Sequence, residues 1–358
     1  MFNRRSFMAM STALGATAML PRTASAATTL RATEFGPERG IRAETLKWLA
    51  EEISSASGGE MSMNITWGGA LVKAREVLSG VGSGFADMGY AVSAYTPKRL
   101  PLYEVLDLPF PNGSDVWVGL RAAYELATTN ENIQAEFAKN DVVYISNFTT
   151  GPVLLICKEP ITSLEQLDGR KLRAAGQAYL ANFGNFGATI VSFPQVEVYQ
   201  ALENGLVDCN QVYYSNLLAY RQYEVANNVL ELNYGQLMSY PMIMNRNRFQ
   251  SLPQEQQDVL TNSGGKAIDH VAQSMIESDA AVKEKLQAGV DGHTVNINSL
   301  DESAVEKVAQ AGENFLQEWI DEREAMGLPA AEVVDQYTSL LAKYEAERKS
   351  KGYPWARS

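Results

Sequence analysis

The chain has 358 residues, of which 46% are hydrophobic, and a formal net charge of −12. This length is enough for two lobes or one large domain with a sizeable apolar core. The acidic balance argues against nucleic acid and against anionic membrane surfaces as partners, because both are bound by basic patches.

The first 26 residues are predicted to be an export signal. Arg4 and Arg5 precede an apolar run that ends at a small-residue cleavage site, ASA (24–26). The order RRSFM favours a twin-arginine signal over a plain secretory signal with two chance arginines.

The apolar run of this signal is too short to span a bilayer, and no other stretch approaches a transmembrane helix. Removal of the signal takes away three arginines and no acids, so the net charge changes from −12 to −15. We expect the mature protein to be free in the periplasm.

Strand and helix patterns alternate through the first 150 residues. Predicted in chain order are the strand TTLRATEF (28–35), a helix over 41–55, the strand MSMNITW (61–67), a helix over 70–80, the strand ADMGYAV (86–92), a Pro-punctuated loop (100–111), a helix over 114–138 and the strand VVYISNF (142–148). This alternation predicts an α/β fold with mostly parallel sheets.

The alternation resumes after residue 150, which indicates two lobes. The predicted strands are VLLICK (153–158), KLRAA (171–175), TIVSF (189–193) and VDCNQVY (207–213), with helices over 177–186 and 196–205.

The C-terminal third is predicted to be mainly helical. Ser251 with Gln254 resembles a capping box for a helix that runs to about residue 288, Ser299 with Glu302 repeats the pattern, and Pro329 opens the last helix.

The sequence contains few of the residues that carry catalysis. Cys157 and Cys209 could form one disulfide in an oxidising compartment, but we favour two buried free thiols. Two cysteines and two histidines do not make a typical zinc site, and the nucleophile elbow, the H-E-x-x-H motif and the P-loop are all missing from the sequence. We therefore expect a binding protein with no catalytic residues, no metal and no cofactor, rather than an enzyme.

A cluster of cations stands out in this acidic chain. Arg170, Lys171 and Arg173 all lie within LDGRKLRAAG (167–176). Arg173 ends a short predicted strand, where α/β proteins form ligand crevices. Its planar guanidinium matches a carboxylate with two parallel hydrogen bonds, which a lysine cannot do. Arg170 and Lys171 are predicted to be solvated surface charges.

Seven segments resemble, in their order, the solute-binding proteins of TRAP transporters, the tripartite ATP-independent periplasmic systems, of the dicarboxylate-binding type. They are TWGGAL (66–71), SGFADMG (83–89), LPF (108–110), LDGRKLR (167–173), VEVYQALENGLVD (196–208), YEVANNVLEL (223–232) and RFQSLPQEQQ (248–257). The resemblance covers about residues 30–345. It implies a periplasmic-binding-protein fold whose two α/β lobes are joined by hinge strands and a long helix spanning both, and which closes on a small organic anion.

The resemblance also implies a partner and a division of the chain. The partner is a membrane permease pair driven by an ion gradient, in secondary active transport. After the signal (1–26), we expect lobe I to comprise 27–150 plus about 240–290, and lobe II to comprise 151–239 plus about 291–358 with the C-terminal helices. We expect a monomer.

The resemblance assigns the substrate carboxylate to Arg173, and the alternative is a structural salt bridge to one of the many acids. Further wall residues are expected from the strand ends of the first lobe, from the crossover between the lobes and from the residue before the helix over 196–205. Val212 is apolar at a position where relatives often have a polar contact, so neighbouring residues of its segment are expected to replace that contact. Together, the further wall residues are Glu34, Phe35, Trp67, Tyr90, Phe148, Thr149, Gln195, Gln211, Tyr213 and Asn216. The ring of Trp67 lies either over the ligand or in the core.

The ligand class stays open at this point. Val153 stands where some sugar-acid-binding relatives carry a second arginine, which argues against that substrate type. The aromatic residues indicate a compact, partly apolar ligand: a monocarboxylate, oxo acid, dicarboxylate, aromatic acid or sulfonate. Two other functions use the same scaffold. A ligand-sensing module for a membrane kinase would have the same pocket, and a secreted enzyme would need a nucleophile–base pair or metal ligands in the cleft.

Overall fold

The structure is a computed structural model that describes residues 27–108, 110 and 115–357, without the side chains at 233 and 234. The predicted export signal therefore lies outside the described residues. The strands are β1 (Thr28–Thr33), β2 (Met61–Thr66), β3 (Met88–Tyr90), β4 (Val142–Phe148), β5 (Pro152–Cys157), β6 (Lys171–Arg173), β7 (Thr189–Val191), β8 (Cys209–Val212), β9 (Asn228–Gln236), β10 (Tyr240–Asn245) and β11 (Asn296–Ser299). The helices are α1 (Ile41–Ala56), α2 (Val77–Gly82), α3 (Val116–Thr129), α4 (Glu131–Lys139), α5 (Gln177–Asn185), α6 (Val198–Glu203), α7 (Tyr214–Ala219), α8 (Arg246–Gln250), α9 (Gln254–Ala288), α10 (Glu302–Ala325) and α11 (Ala330–Lys351).

These elements form two separate sheets, and the predicted α/β class is confirmed. The first sheet has the order β2-β1-β3-β10-β4, and the second has the order β11-β9-β5-β8-β6-β7. Five of the strand pairings are parallel. The antiparallel pairings all involve β5 or β10, two strands that the chain enters just after a short crossing from one sheet to the other. We call the body around the first sheet the first lobe, and the body around the second sheet the second lobe.

The chain crosses between the lobes through two short segments that lie side by side. Residues 149–151 connect β4 to β5, and residues 237–239 connect β9 to β10. Thr150 N donates to Leu237 O at 3.1 Å, so the two segments are bonded to each other. Asp107 fixes the second segment, because one of its carboxylate oxygens accepts from the backbone N–H groups of Met238 and Ser239, both at 2.8 Å.

The long helix α9 packs against β4, α1 and α3 and then leads to β11 in the second sheet. It approaches the sheet closely at Gly264, where a Cβ atom would lie 2.0 Å from the carbonyl oxygen of Ile145. Ser146 Oγ donates to Gly264 O at 2.8 Å across this contact. Neither α9 nor any other helix in the described ranges has both the length and the apolar character that crossing a membrane requires.

The last helix lies on the first lobe, which corrects our placement of the C-terminal helices in lobe II. Helix α10 contacts α5 and β9 of the second lobe as expected, but α11 packs along α3. The ring of Tyr337 lies 5.3 Å from Phe110, and the ring of Tyr344 lies 5.8 Å from Trp117. The physical reason is an apolar stripe on α11 that α3 buries: Val333, Val334, Tyr337, Leu340 and Leu341. The remaining lobe boundaries stay a prediction.

The two cysteines are joined, so the preference for free thiols is wrong. Cys157 of β5 and Cys209 of β8 form a disulfide. They occupy directly opposite positions of neighbouring antiparallel strands. The sequence did not predict this pairing because it does not show which strands are neighbours in the sheet.

Asp279 of α9 gives the fold a pH dependence. Its Oδ1 atom is buried and has no hydrogen-bond partner among the described residues, and burial raises its pKa from 3.8 to about 7. The folded protein therefore binds this proton more tightly than the unfolded chain, and its contribution to the free energy of unfolding falls as pH rises from about 4 to about 7.

We expect Asp279→Asn to raise the melting temperature more at pH 8 than at pH 5, because the substitution removes a buried charge that forms only at higher pH. Thermal unfolding at the two pH values measures this difference. Glu277→Gln, an exposed change on the same helix, should shift the melting temperature equally at both. An equal shift for Asp279→Asn would show that the carboxyl titrates normally.

Candidate ligand-binding site

A narrow cavity lies where the two lobes meet. It contains about 430 Å³ of space not filled by atoms. Both lobes and both crossing segments contribute to its wall. The lining residues are Arg42, Val92, Tyr95, Asp107, Thr150, Arg173, Ala175, Gln195, Tyr213, Asn216, Leu237, Ser239 and Tyr240.

Arg173 is a buried cation in this wall, at the end of β6, with 2% of its surface exposed. Its Nε donates to Phe193 O at 2.8 Å, and its Nη1 donates to Gln195 Oε1 at 2.9 Å. Longer contacts of 3.5 Å reach Asn210 Oδ1 and Tyr95 OH. All four acceptors are neutral, and no carboxylate within the described part of the chain lies within 4.0 Å of the guanidinium nitrogens. A buried charge without a counter-ion is costly, so this arrangement favours binding of an anion.

The residues next to Arg173 in the chain explain why β6 places it in the cavity wall. Leu172 points into the core and is fully buried, whereas Lys171 is exposed at the start of the strand. Gly176 then begins α5 with φ of 86°, and a Cβ atom there would lie 2.8 Å from the Leu237 side chain in the second crossing segment. A glycine at 176 therefore lets the loop after Arg173 lie directly against the crossover.

The wall also carries polar groups that a ligand could use. The Nε2 atom of Gln195 is buried and has no hydrogen-bond partner among the residues that the structure describes. Asp107 lines the cavity as well, and burial raises its pKa to about 6, while hydrogen bonds from Ser239 and Met238 oppose that rise. A buried donor without an acceptor costs free energy, so a ligand oxygen beside Gln195 would be stabilised.

A larger open groove also runs between the lobes, but it is a weaker candidate. It holds about 1120 Å³ and is lined by residues of both lobes, including Arg39, Lys73 and Arg221. Arg39 and Lys73 are exposed to solvent, and Arg221 is paired with Glu224. Exposed charges bind anions weakly because water and salt screen them. We therefore place the site in the enclosed cavity.

Four of the eleven sequence-predicted residues line the cavity: Arg173, Gln195, Tyr213 and Asn216. Two others are one contact away. Gln211 Oε1 accepts from the backbone N–H of the lining residue Ala175 at 2.8 Å, and Thr149 Oγ1 donates to the backbone oxygen of the lining residue Leu237 at 3.3 Å.

The other five predicted residues surround the cavity rather than line it. Glu34 is fully buried and forms an ion pair with Arg42 at 3.1 Å. Phe35 lies beneath the Arg42 guanidinium and borders the open groove. Tyr90 and Phe148 pack against each other, with their ring centroids 5.8 Å apart. Trp67 is half-buried and lies near Lys47.

Sequence reasoning missed nine of the lining residues. They are Arg42, Val92, Tyr95, Asp107, Thr150, Ala175, Leu237, Ser239 and Tyr240. Thr150 directly follows Thr149, and Ala175 lies two residues after Arg173, so both could have been inferred from predicted residues. The others come from a helix start, irregular loops and the second crossing segment, where the sequence shows no pattern that points to a ligand.

The lobes are closed on each other around the cavity. The hydroxyl of Tyr95 in the first lobe accepts from the backbone N–H of Gln195 in the second lobe at 3.0 Å, and it also contacts Arg173. Two further bonds join the lobes nearer the surface: Arg39 Nε donates to Ala219 O at 2.7 Å, and Arg75 Nη2 donates to Ser192 O at 3.1 Å. Tyr95 is thus the lobe-to-lobe contact nearest to the buried cation.

We expect Tyr95→Phe to weaken ligand binding about 5- to 10-fold, because it removes hydrogen bonds that form only when the lobes are closed. Calorimetry with the cognate acid measures the change. Tyr124→Phe is the matched control, since among the described residues its hydroxyl makes one long hydrogen bond, to Thr261 O at 3.5 Å, and it should leave the affinity unchanged. Equal affinities for Tyr95→Phe and the wild type would show that this contact does not stabilise the closed form.

Comparison with known proteins shows where such a fold occurs. The sequence profile of DctP, bacterial extracellular solute-binding protein, family 7, matches residues 33–322. The chain is 23% identical over 284 residues to the ectoine-binding periplasmic protein TeaA of Halomonas elongata, which covers 78% of this chain and 80% of that protein. It is 22% identical over 266 residues to the C4-dicarboxylate-binding periplasmic protein DctP of Rhodobacter capsulatus, covering 73% and 76%. A TRAP solute-binding protein from Rhodoferax ferrireducens, solved in complex with copurified benzoate, has a TM-score of 0.81 at 19% identity and covers 89% of this chain and 99% of that one.

Proposed function

Because the chain belongs to the bacterial extracellular solute-binding proteins of family 7, we propose that it captures a small organic carboxylate on Arg173 between its two lobes. Closure of the lobes would enclose the acid and create the surface that a membrane permease recognises. The observation that carries this proposal is the buried Arg173 guanidinium, which meets only neutral acceptors in an enclosed cavity.

The family places the protein in the periplasm, as a binding component of a TRAP transporter and not as an enzyme. Proteins of this class bind small organic ligands and work with membrane permease components. The resemblance in the sequence is thereby confirmed. The carboxylate specificity, the contacts in the site and the monomeric state are our proposals.

The chemistry of the cavity supports an acid as the ligand. A guanidinium in an environment with little water binds a carboxylate through charge-assisted hydrogen bonds, each worth about 1.5–3 kcal/mol. The named ligands of the similar proteins fit this chemistry, since ectoine, C4-dicarboxylates and benzoate all carry a carboxylate at neutral pH. The narrow cavity between the lobes favours a compact acid over a large one.

A thermal-shift panel on the mature protein tests the proposal. The panel contains aliphatic, aromatic and oxo monocarboxylates, dicarboxylates, sulfonates and ectoine, with neutral sugars as controls. At 100 times its Kd a ligand stabilises the folded state by about 2.7 kcal/mol, which raises the melting temperature by several degrees. We expect at least one carboxylate to do so. Stabilisation by a neutral sugar and by none of the acids would contradict the proposal.

A further inference from the structure

We infer that the cavity accepts one negative charge, and that Glu34 is the residue that excludes a second carboxylate. The ligand would then be a monocarboxylate whose other polar group is an uncharged hydrogen-bond acceptor. This inference rests on the proposed function, because it takes the first carboxylate to be bound by Arg173. It follows from the charges of the cavity wall on the side of the first lobe.

A second arginine lines the cavity on that side. Arg42, at the start of α1, donates from Nη1 to Tyr240 OH at 2.7 Å and from Nη2 to Tyr220 OH at 2.9 Å. The guanidinium occupies space that a side chain at residue 36 would fill, since a Cβ atom on Gly36 would lie 1.5 Å from Arg42 Nη2. The backbone is therefore shaped to admit this guanidinium. By its position alone, Arg42 could serve as an anchor for a second carboxylate.

Glu34 already neutralises Arg42. Its side chain is fully buried, and its Oε1 atom lies 3.1 Å from Arg42 Nη2. The backbone N–H of Gly36 donates to the same oxygen at 2.7 Å, which fixes the carboxylate in place. A second ligand carboxylate would therefore have to compete with a buried, hydrogen-bonded one, and two carboxylates in one site repel each other.

Asp107 adds to this exclusion. It lines the same cavity, and its carboxylate accepts hydrogen bonds from Ser239 and from the backbone N–H groups of Met238 and Ser239, which oppose the destabilisation of its charge by burial. The wall around the ligand thus contains Arg42 and Asp107 in addition to Arg173, and Glu34 lies directly behind Arg42 as its ion-pair partner. The charges of the two arginines and of the two protein carboxylates cancel, so a bound monocarboxylate gives the site a net charge of minus one. A dicarboxylate would give it a net charge of minus two, with no free cation for its second carboxylate.

The two tyrosines indicate what the other end of the ligand is. Their hydroxyl oxygens accept from Arg42, and no residue in the described ranges accepts the phenolic proton of Tyr240 or Tyr220. Tyr240 lines the cavity, so its O–H group can donate to a ligand oxygen. A carbonyl, hydroxyl or amide oxygen can accept that bond without bringing a charge.

Matched pairs of ligands test the inference by calorimetry. Each pair keeps the carbon skeleton and replaces one carboxylate of a diacid with a neutral carboxamide: succinate and succinamate, glutarate and glutaramate, terephthalate and 4-carbamoylbenzoate. The proteins are the wild type, Glu34→Gln and, as the matched control, Glu38→Gln. Glu38 is exposed and pairs only with Lys47 on the surface.

We expect the wild type and Glu38→Gln to bind the monoamide of the best pair at least 10-fold more tightly than the diacid. Glu34→Gln frees the Arg42 charge, so it should bind the diacid at least 10-fold more tightly than the wild type does and change the affinity for the monoamide less. The inference is overturned if the wild type prefers the diacid, if no monoamide binds, or if folded Glu34→Gln keeps the wild-type preference.

The wild-type preference needs no variant, so a failure of Glu34→Gln to fold leaves the test intact. The proposed function and the single-charge inference are contradicted by different results. Binding of diacids that is lost in Arg173→Ala would refute the single-charge inference and keep the proposed function. Absence of any carboxylate binding in the wild type would refute both.

Discussion

Replacing Arg173 with alanine is expected to weaken binding of the cognate acid at least about 100-fold. The guanidinium is buried and can form two charge-assisted hydrogen bonds to one carboxylate, each worth about 1.5–3 kcal/mol, and 100-fold corresponds to about 2.7 kcal/mol. Arg173→Lys keeps the charge but loses the planar fork, so its affinity should lie between those of Arg173→Ala and the wild type. Isothermal calorimetry of the three proteins measures these differences.

The same variant separates a ligand anchor from a structural ion pair. If Arg173 serves the ligand, its removal takes an uncompensated charge out of the core, and the ligand-free protein should keep its stability or gain some. If Arg173 served a structural salt bridge, its loss would lower the melting temperature without ligand. Lys171→Ala is the control, because this neighbouring cation is exposed and should change neither quantity. Near-normal affinity in Arg173→Ala would remove this residue from the site.

Loss of the Cys157–Cys209 disulfide is expected to lower the free energy of unfolding by about 4 kcal/mol. The bond closes a loop over a sequence separation of 52 residues, and the entropy of such a loop in the unfolded chain gives this value. The double variant Cys157→Ala/Cys209→Ala should therefore melt roughly 5–15 °C below the oxidised wild type. Urea and thermal unfolding, with and without reductant, measure the effect.

The reductant supplies the control for this experiment. Reduced wild type should melt near the double variant, and the double variant itself should not respond to reductant. Below its melting temperature the variant should still bind the ligand, because Leu172 and Arg173 are held by the backbone pairing of β6 with β8 and not by the sulfur atoms. Equal unfolding midpoints for the oxidised and reduced wild type would contradict the prediction.

The sequence predicted those elements whose local pattern agrees with their environment in the fold. The apolar strand VVYISNF coincides with β4 at both ends, and the helix predicted over 177–186 matches α5 to within a residue. The helix predicted over 70–80 is only half present, as α2 begins at Val77. Gly68 and Gly69 both have positive φ there, and the turn that they form delays the start of the helix.

The capping residues show how tertiary contacts change a local prediction. Ser251 does not begin the long helix, which starts at Gln254 with Pro253 at the N-cap position. Ser299 does not cap α10 either, because it pairs with Glu231 in the second sheet. Asp301 accepts from Ala304 N at 2.8 Å instead. Asp301 thus takes over the capping role at α10, whereas α9 begins without a side-chain cap.

The site was predictable only where a residue stood out in its own segment. Arg173 stood out as a cation at a strand end in an acidic chain, and the structure places it in the cavity wall. Arg42 looked like any charged residue in the first turn of a helix, and its burial depends on contacts with Tyr220 and Tyr240, almost 200 residues away in the chain. No local pattern encodes such contacts, so the second arginine and its neutralisation by Glu34 required coordinates.

A crystal structure of the mature protein with its copurified or best-binding acid tests the central claim most directly. We expect one ligand carboxylate with both oxygens about 2.7–3.0 Å from the Arg173 guanidinium, enclosed by the closed lobes. A ligand seated in the outer groove, or a guanidinium that turns to a protein carboxylate while the ligand binds elsewhere, would contradict it.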